Sequence, residues 1–121
     1  MLWHSKQSSP LVALDHAGRE VWEYDLGAYT HGQGGATSPI VVDDQRSLVS
    51  PIIAGDLVIA GSGAAGGTRH VVAVKPHQTD TRVAASEAYH VTRQAPHIPT
   101  PIAYRDWLFL WSDQGIVTCL D

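Results

Sequence analysis

One short unit keeps returning along this chain, and it limits what the chain can fold into. Leu11-Val12-Ala13-Leu14-Asp15 is followed by a His16-Ala17-Gly18 turn and then by Arg19-Glu20-Val21-Trp22, a second strand carrying a tryptophan. Val71-Val72-Ala73-Val74-Lys75 repeats the first of those strands, and Val117-Thr118-Cys119-Leu120-Asp121 repeats it again. A unit that returns at intervals of roughly 40–60 residues, with turn signals inside it, specifies small β-sheets that lean on one another. Such a unit cannot hide its apolar face by itself.

The 121 residues give room for a single domain. An apolar fraction of 44% against 17% charged places the chain among globular proteins. Eleven glycines and seven prolines put turns at the short intervals that a many-stranded all-β chain requires. The net charge of −4 is scattered, the longest acidic run being Asp43-Asp44, and no basic patch points to nucleic acid. The single cysteine, Cys119, excludes an intrachain disulfide and a cysteine-based zinc site; its apolar neighbours predict a small buried core residue. No apolar run approaches the roughly 20 residues of a membrane-spanning helix, and the first residues lack the form of a secretory signal.

The pattern predicts nine or ten short strands and no helix. Residues 2–4 read as the tail of a strand, 11–15 and 19–24 as a hairpin closed at Gly18, where a positive φ is expected. In the second arm Arg, Val and Glu alternate with Glu, Trp and Tyr, as in a strand with one wet face. Residues 25–37 read as a long glycine-rich loop. Ser38-Pro39 and Ser50-Pro51 each lead into aliphatics and a turn, so this segment looks doubled. Ile52-Ile53, the Gly55-Asp56 turn and 57–60 form a hairpin; 61–67 reads as a flexible loop, and 70–75 as a strand closed by Pro76. Residues 81–85 and 87–92 are weaker strand candidates. Residues 100–104, 107–111 and 116–120 form an antiparallel meander around an Arg105-Asp106 turn and a Ser112–Gly115 turn. The run Trp107-Leu108-Phe109-Leu110-Trp111 is apolar on both faces, which predicts a central strand covered from both sides.

This layout resembles the repeat of the pyrroloquinoline-quinone-like β-propellers. The residues that carry the likeness are Leu11 to Asp15 with Gly18 and Trp22, then Ser50-Pro51, Gly55-Asp56 and the strands that follow, and Pro101 through Asp121 with Asp113-Gln114-Gly115 in the turn. The resemblance implies an all-β fold, a partial β-propeller of stacked antiparallel four-stranded blades. Residues 1–25 would end one blade, 38–92 would form a full blade, and 99–121 would start a third. That is roughly two and a half blades, against about 4–8 in a closed ring. It implies either a piece of a longer protein or a chain that completes its ring by association. Trp22, Trp107 and Trp111 are expected to be packing residues of the blades, with Gly18 and Gly115 shaping their turns. The family's wedging tryptophan corresponds to Trp22 alone.

No constellation in the sequence specifies catalysis. Seven histidines are present, but His70 with His77 and His90 with His97 lack a metal-binding spacing, and surface or loop positions are expected. His31 lies among glycines that would let a ligand or partner approach. Gly61-Ser62-Gly63 and Gly66-Gly67 do not open a helix, as a phosphate cradle must, and Ser62 is not in a nucleophile elbow. Asp43-Asp44 alone is a poor calcium site. The expectation is thus a non-catalytic scaffold or protein-interaction module, with no cofactor and no metal. Its partner would be another protein, the remaining blades of a longer chain, or further copies of itself. The bacterial family resemblance suggests the periplasm or cell envelope. The alternative it implies is part of a quinoprotein dehydrogenase oxidising alcohols or sugars with pyrroloquinoline quinone and calcium. The catalytic Asp and planar stacking Trp of those enzymes match no residue here.

Overall fold

In the computed structural model, residues 2–4, 10–26, 49–63 and 68–121 are described. Residues 27–37 of the expected 25–37 loop (with His31), the first Ser-Pro segment with Asp43-Asp44, and Gly66-Gly67 lie outside them. The described residues form ten strands and no helix, so none is long and apolar enough to cross a membrane. Three antiparallel sheets result. The first joins β1 (Leu2–His4), β2 (Pro10–Leu14) and β3 (Glu20–Asp25) in that order. The second runs β4 (Ile52–Ala54), β5 (Leu57–Gly63), β6 (Arg69–Gln78), β7 (Val83–Val91). The third joins β8 (Ile102–Tyr104), β9 (Trp107–Trp111) and β10 (Val117–Leu120), with β9 central. None of these sheets closes on itself among the described residues.

The second sheet is the middle layer, and sequence explains why. β5 and β6 carry consecutive aliphatic residues, so both of their faces are apolar and both must be covered. Val58, Ala60, Val72 and Val74 pack against Leu11, Trp22 and Leu26 of the first layer. On the opposite face Ile59, Val71 and Ala73 pack against Ala95, Leu108 and Leu110 of the third. The period of two thus delivers alternate residues of one strand to two separate cores.

The turns follow from local chemistry. Gly18 and Gly115 have φ of 77° and 80°, a conformation that costs a side-chain-bearing residue about 1–2 kcal/mol. Both close turns of the same pattern. The Gly18 amide donates to the Asp15 carbonyl at 3.0 Å, and the Gly115 amide to the Ser112 carbonyl at 3.0 Å. The side chain at the first position then accepts the amide four residues on: Arg19 to Asp15 Oδ1 at 3.0 Å, Ile116 to Ser112 Oγ at 3.2 Å. The two-residue connections β4–β5 and β8–β9 also match, with positive φ at Gly55 (61°) and Arg105 (54°) followed by aspartate, as primed hairpin turns require.

That match extends outward. Residues 51–62 and 101–112 align without a gap, fifty positions apart: Pro51 with Pro101, Ile52 with Ile102, Asp56 with Asp106, Ser62 with Ser112. Each segment is a three-residue strand, a two-residue turn and a longer strand. Ser62 and Ser112 are the buried polar residues among those described.

Several details differ from the sequence expectation. Residues 61–63 of the expected 61–67 loop are strand: β5 continues to Gly63, pairing Gly61 with Val71 and Gly63 with Arg69. Gly61 is there for space, since a Cβ on it would lie 2.7 Å from Cβ and Cγ2 of buried Val49. Pro76 does not close β6. The strand runs on to Gln78 because beyond Val74 it has outrun β5 and has a neighbour only on the β7 side, an edge position that tolerates proline. The two weak candidates at 81–92 are one strand, β7, joined through a register shift opposite Ala73 and Val74. Cys119 is exposed rather than buried, because the face of β10 that carries it is uncovered. For the same reason β9 is covered on one face and not on both.

Gly61→Ala should lower unfolding stability by about 1–3 kcal/mol through forced displacement of Val49. Urea unfolding of the two proteins checks this, and a double change with Val49→Ala should recover part of the loss.

Candidate functional site

The uncovered face of the third sheet is the most unusual surface among the described residues. Strand pairing fixes its membership. Ile102 and Cys119 flank Phe109, Tyr104 lies beside Trp107, and Val117 beside Trp111. Side chains of directly paired residues share a face, so these seven form one surface. It is wholly apolar or aromatic apart from the thiol and the tyrosine hydroxyl. Ile102, Tyr104, Trp107, Trp111 and Val117 each keep between 45% and 60% of their surface exposed. Isolated exposed apolar residues are ordinary, but a contiguous exposed set of this size is not.

The sheet is anchored from behind and at its turns. Leu108 and Leu110, the alternate residues of β9, are buried against the middle sheet. Arg69 of β6 and Asp113 of the β9–β10 turn form an ion pair at 2.7 Å, tying that turn to the middle layer. Thr118 donates a 2.7 Å hydrogen bond to Gln94 Oε1 on the segment that enters the sheet. At the other end the Arg105 guanidinium sits 5.3 Å from the Tyr104 ring centre, a cation–π contact. A polar cleft of about 290 Å³ lies in the seam between the two layers, lined by Arg69, Thr92, Gln94, Ser112 and Gln114.

The three tryptophans singled out in the sequence therefore occupy different settings. Trp22 is 8% exposed, inside the core between the first and middle sheets. Trp107 and Trp111 stand half-exposed on the outer face. Gly18 and Gly115 sit at their turns with no heavy atom within 4 Å of a Cβ position, so backbone conformation and not space is what requires glycine there. The sequence did not single out Ile102, Tyr104, Phe109, Val117 and Cys119 as one surface. For Ile102, Tyr104 and Phe109 the signal was available in the fifty-residue offset, which aligns them with Ile52, Ala54 and Ile59 of β4 and β5.

A second grouping was also missed. His70 and His90 come together across β6 and β7 with ring centres 6.1 Å apart. His90 Nδ1 lies 2.9 Å from Glu87 Oε1, and the Tyr24 hydroxyl of the first sheet lies 3.5 Å from Glu87 Oε2. Burial, and secondarily the charge of His90, pushes the His70 imidazole below its ordinary pKa. Burial and then Glu87 raise that of Tyr24. The pairing depends on a strand register containing a bulge, which sequence spacing does not reveal. Among the described residues no three His, Cys, Asp or Glu side chains gather as a metal site needs.

Comparison with known proteins finds no matching family model, no matching curated protein and no matching solved structure.

Two outcomes are expected. Trp22→Ala should cost about 3–5 kcal/mol of unfolding stability, and Trp111→Ala should stay within about 0.5 kcal/mol; denaturant titrations of both variants separate a core role from a surface one. His70, with a folded pKa below its unfolded value, binds fewer protons folded than unfolded. Its stabilising contribution is present above the unfolded pKa and is lost as pH falls through the folded one. The melting temperature should therefore drop between pH 7 and pH 5, and His70→Gln should flatten that drop.

Proposed function

We propose that this chain is a non-catalytic scaffold or protein-interaction module of propeller type, a partial β-propeller resembling the pyrroloquinoline-quinone-like repeat proteins. The outer face of β8–β10 is its docking surface. The observation that carries this reading is the seven-residue apolar face, which is set on a sheet whose other side is buried. Face-to-face layering of short antiparallel sheets and the ungapped fifty-residue repeat support the propeller-type part of the reading. The burial of Trp22 between two layers, from an edge strand of its sheet, also supports that part of the reading.

Interaction surfaces of this kind take most of their binding energy from a few half-buried aromatic anchors, which Trp107 and Trp111 supply. Binding would remove apolar surface from water at roughly 25 cal/mol per Å² before the costs of association.

The test is affinity capture with the wild-type chain and with a Trp107→Lys/Trp111→Lys double variant, each shown by circular dichroism to keep its strands. The reading expects proteins retained by the wild type to be lost by the double variant, and equal retention by both would overturn it. A parallel arm adds pyrroloquinoline quinone and calcium. Melting temperature and tryptophan emission should not move, whereas a saturable shift would favour the quinoprotein dehydrogenase reading.

A further inference from the structure

Within this chain, one face of a strand–turn–strand segment is covered, while the aligned face of its repeat is open. Ile52, Ala54, Leu57 and Ile59 of the middle sheet pack into the second core, against the third sheet. Fifty positions on, Ile102, Tyr104, Trp107 and Phe109 occupy the same places in the same hairpin, on a face where Ile102, Tyr104 and Trp107 stay about half-exposed. The repeat has also grown larger there: Ala54 becomes Tyr104, Leu57 becomes Trp107 and Gly61 becomes Trp111. The covered version is small enough for a sheet of the same chain to sit on it. The open version carries the large aromatic residues that are enriched at contacts between molecules.

We infer that the occupant of this face is the same face of a second copy, in a two-fold dimer that stacks third sheet on third sheet. This rests on the proposed function, whose docking surface it is, and it names the partner. Charge decides between the two ways a second copy could sit. A head-to-tail stack would set the aromatic face against the outer side of the first sheet. There Glu23 and Asp25 of β3 are exposed and Val12 is already buried. Covering two carboxylates with apolar surface carries a desolvation cost for each, and the cation beside the aromatic face, Arg105 at the Tyr104 ring, lies at one end of it.

The two-fold arrangement sets apolar surface on apolar surface. Arg105, Asp106 and Asp113 are left at the turns that border the face. The strands of stacked sheets lie about 10 Å apart, face to face, as aligned sheets do. With the axis running along β9, the bulky β8 side (Ile102 and Tyr104) lies over the slighter β10 side (Val117 and Cys119) of the second copy, so the surface complements itself. A face of this kind must match itself in every two-fold contact.

Area sets the strength. The face exposes roughly 600 Å² of side chain. Two copies would bury about 1,200 Å², the lower end of specific interfaces. A reversible dimer in the micromolar range is expected, not an obligate one.

Cys119, exposed on this face and the only cysteine in the chain, is a native reporter. The experiment is sedimentation equilibrium of the 121-residue chain across a concentration series, with the rate of Cys119 alkylation measured at each concentration. The inference expects a monomer–dimer equilibrium, with alkylation slowing at least tenfold as dimer forms. Trp111→Glu, and independently Trp107→Lys, should give monomer at every concentration, with alkylation held at the fast rate and the far-ultraviolet spectrum unchanged. Should one variant fail to fold, the other carries the comparison. A wild-type chain that stays monomeric to several hundred micromolar would overturn the inference. So would a dimer in which Cys119 is alkylated as fast as in the variants. If the monomer still loses a captured protein on Trp107→Lys/Trp111→Lys substitution, the second copy is excluded while the interaction-module reading stands.

Discussion

Everything in this molecule depends on a sheet that is apolar on both faces. Val58 to Ala60 and Val71 to Val74 are buried without a polar residue among them. A strand of that composition has no side to turn toward water, so the sheet must be sandwiched. Each buried Val or Ile contributes about 1.5–3 kcal/mol by leaving solvent. The flanking sheets have three strands each and need the middle one as much as it needs them. The first offers Leu11, Trp22 and Leu26; the third offers Leu108 and Leu110. Two cores, separated only by the thickness of one sheet, then fix the order of the layers.

Layering has a consequence at its ends. A sheet used as a cover has an outer side of its own. The first sheet turns the exposed Glu23 and Asp25 outward on β3, with Val12 buried beside Glu23. The third does not: β8, β9 and β10 all present apolar residues outward. The Arg69–Asp113 ion pair and the Thr118–Gln94 hydrogen bond tie that sheet down from behind. On the proposed reading, a braced apolar face would have little left to order on contact, which lowers the entropic cost of binding.

Much of the fold was legible because its signals are local. The hairpin at Gly18, the two-residue turns at Gly55-Asp56 and Arg105-Asp106, and the meander through β8, β9 and β10 each carry their turn chemistry within a few residues. The misjudged places depend on residues distant in the chain. Gly61 reads as a loop glycine until Val49 is seen against it. Pro76 reads as a strand terminator until β5 is seen to have ended first. The histidine pair needs the bulge in the β6–β7 register to bring His90 toward His70. The candidate site was half legible: Trp107 and Trp111 stood out as residues needing cover, while four of the five that complete the surface come from the two neighbouring strands.

The sequence by itself determined that this chain makes short antiparallel strands, where most of them turn, and that some strands carry apolar residues on both sides. Those properties are set by steric limits on the backbone and by a side-chain period of two, which act within a few residues. Only the tertiary structure decided which of two equally apolar faces is covered. Leu108 and Trp107 are adjacent and both greasy, and period alone cannot rank them. The middle sheet accepts the leucines because their volume fits between its own small aliphatic residues, and the tryptophans are left facing out.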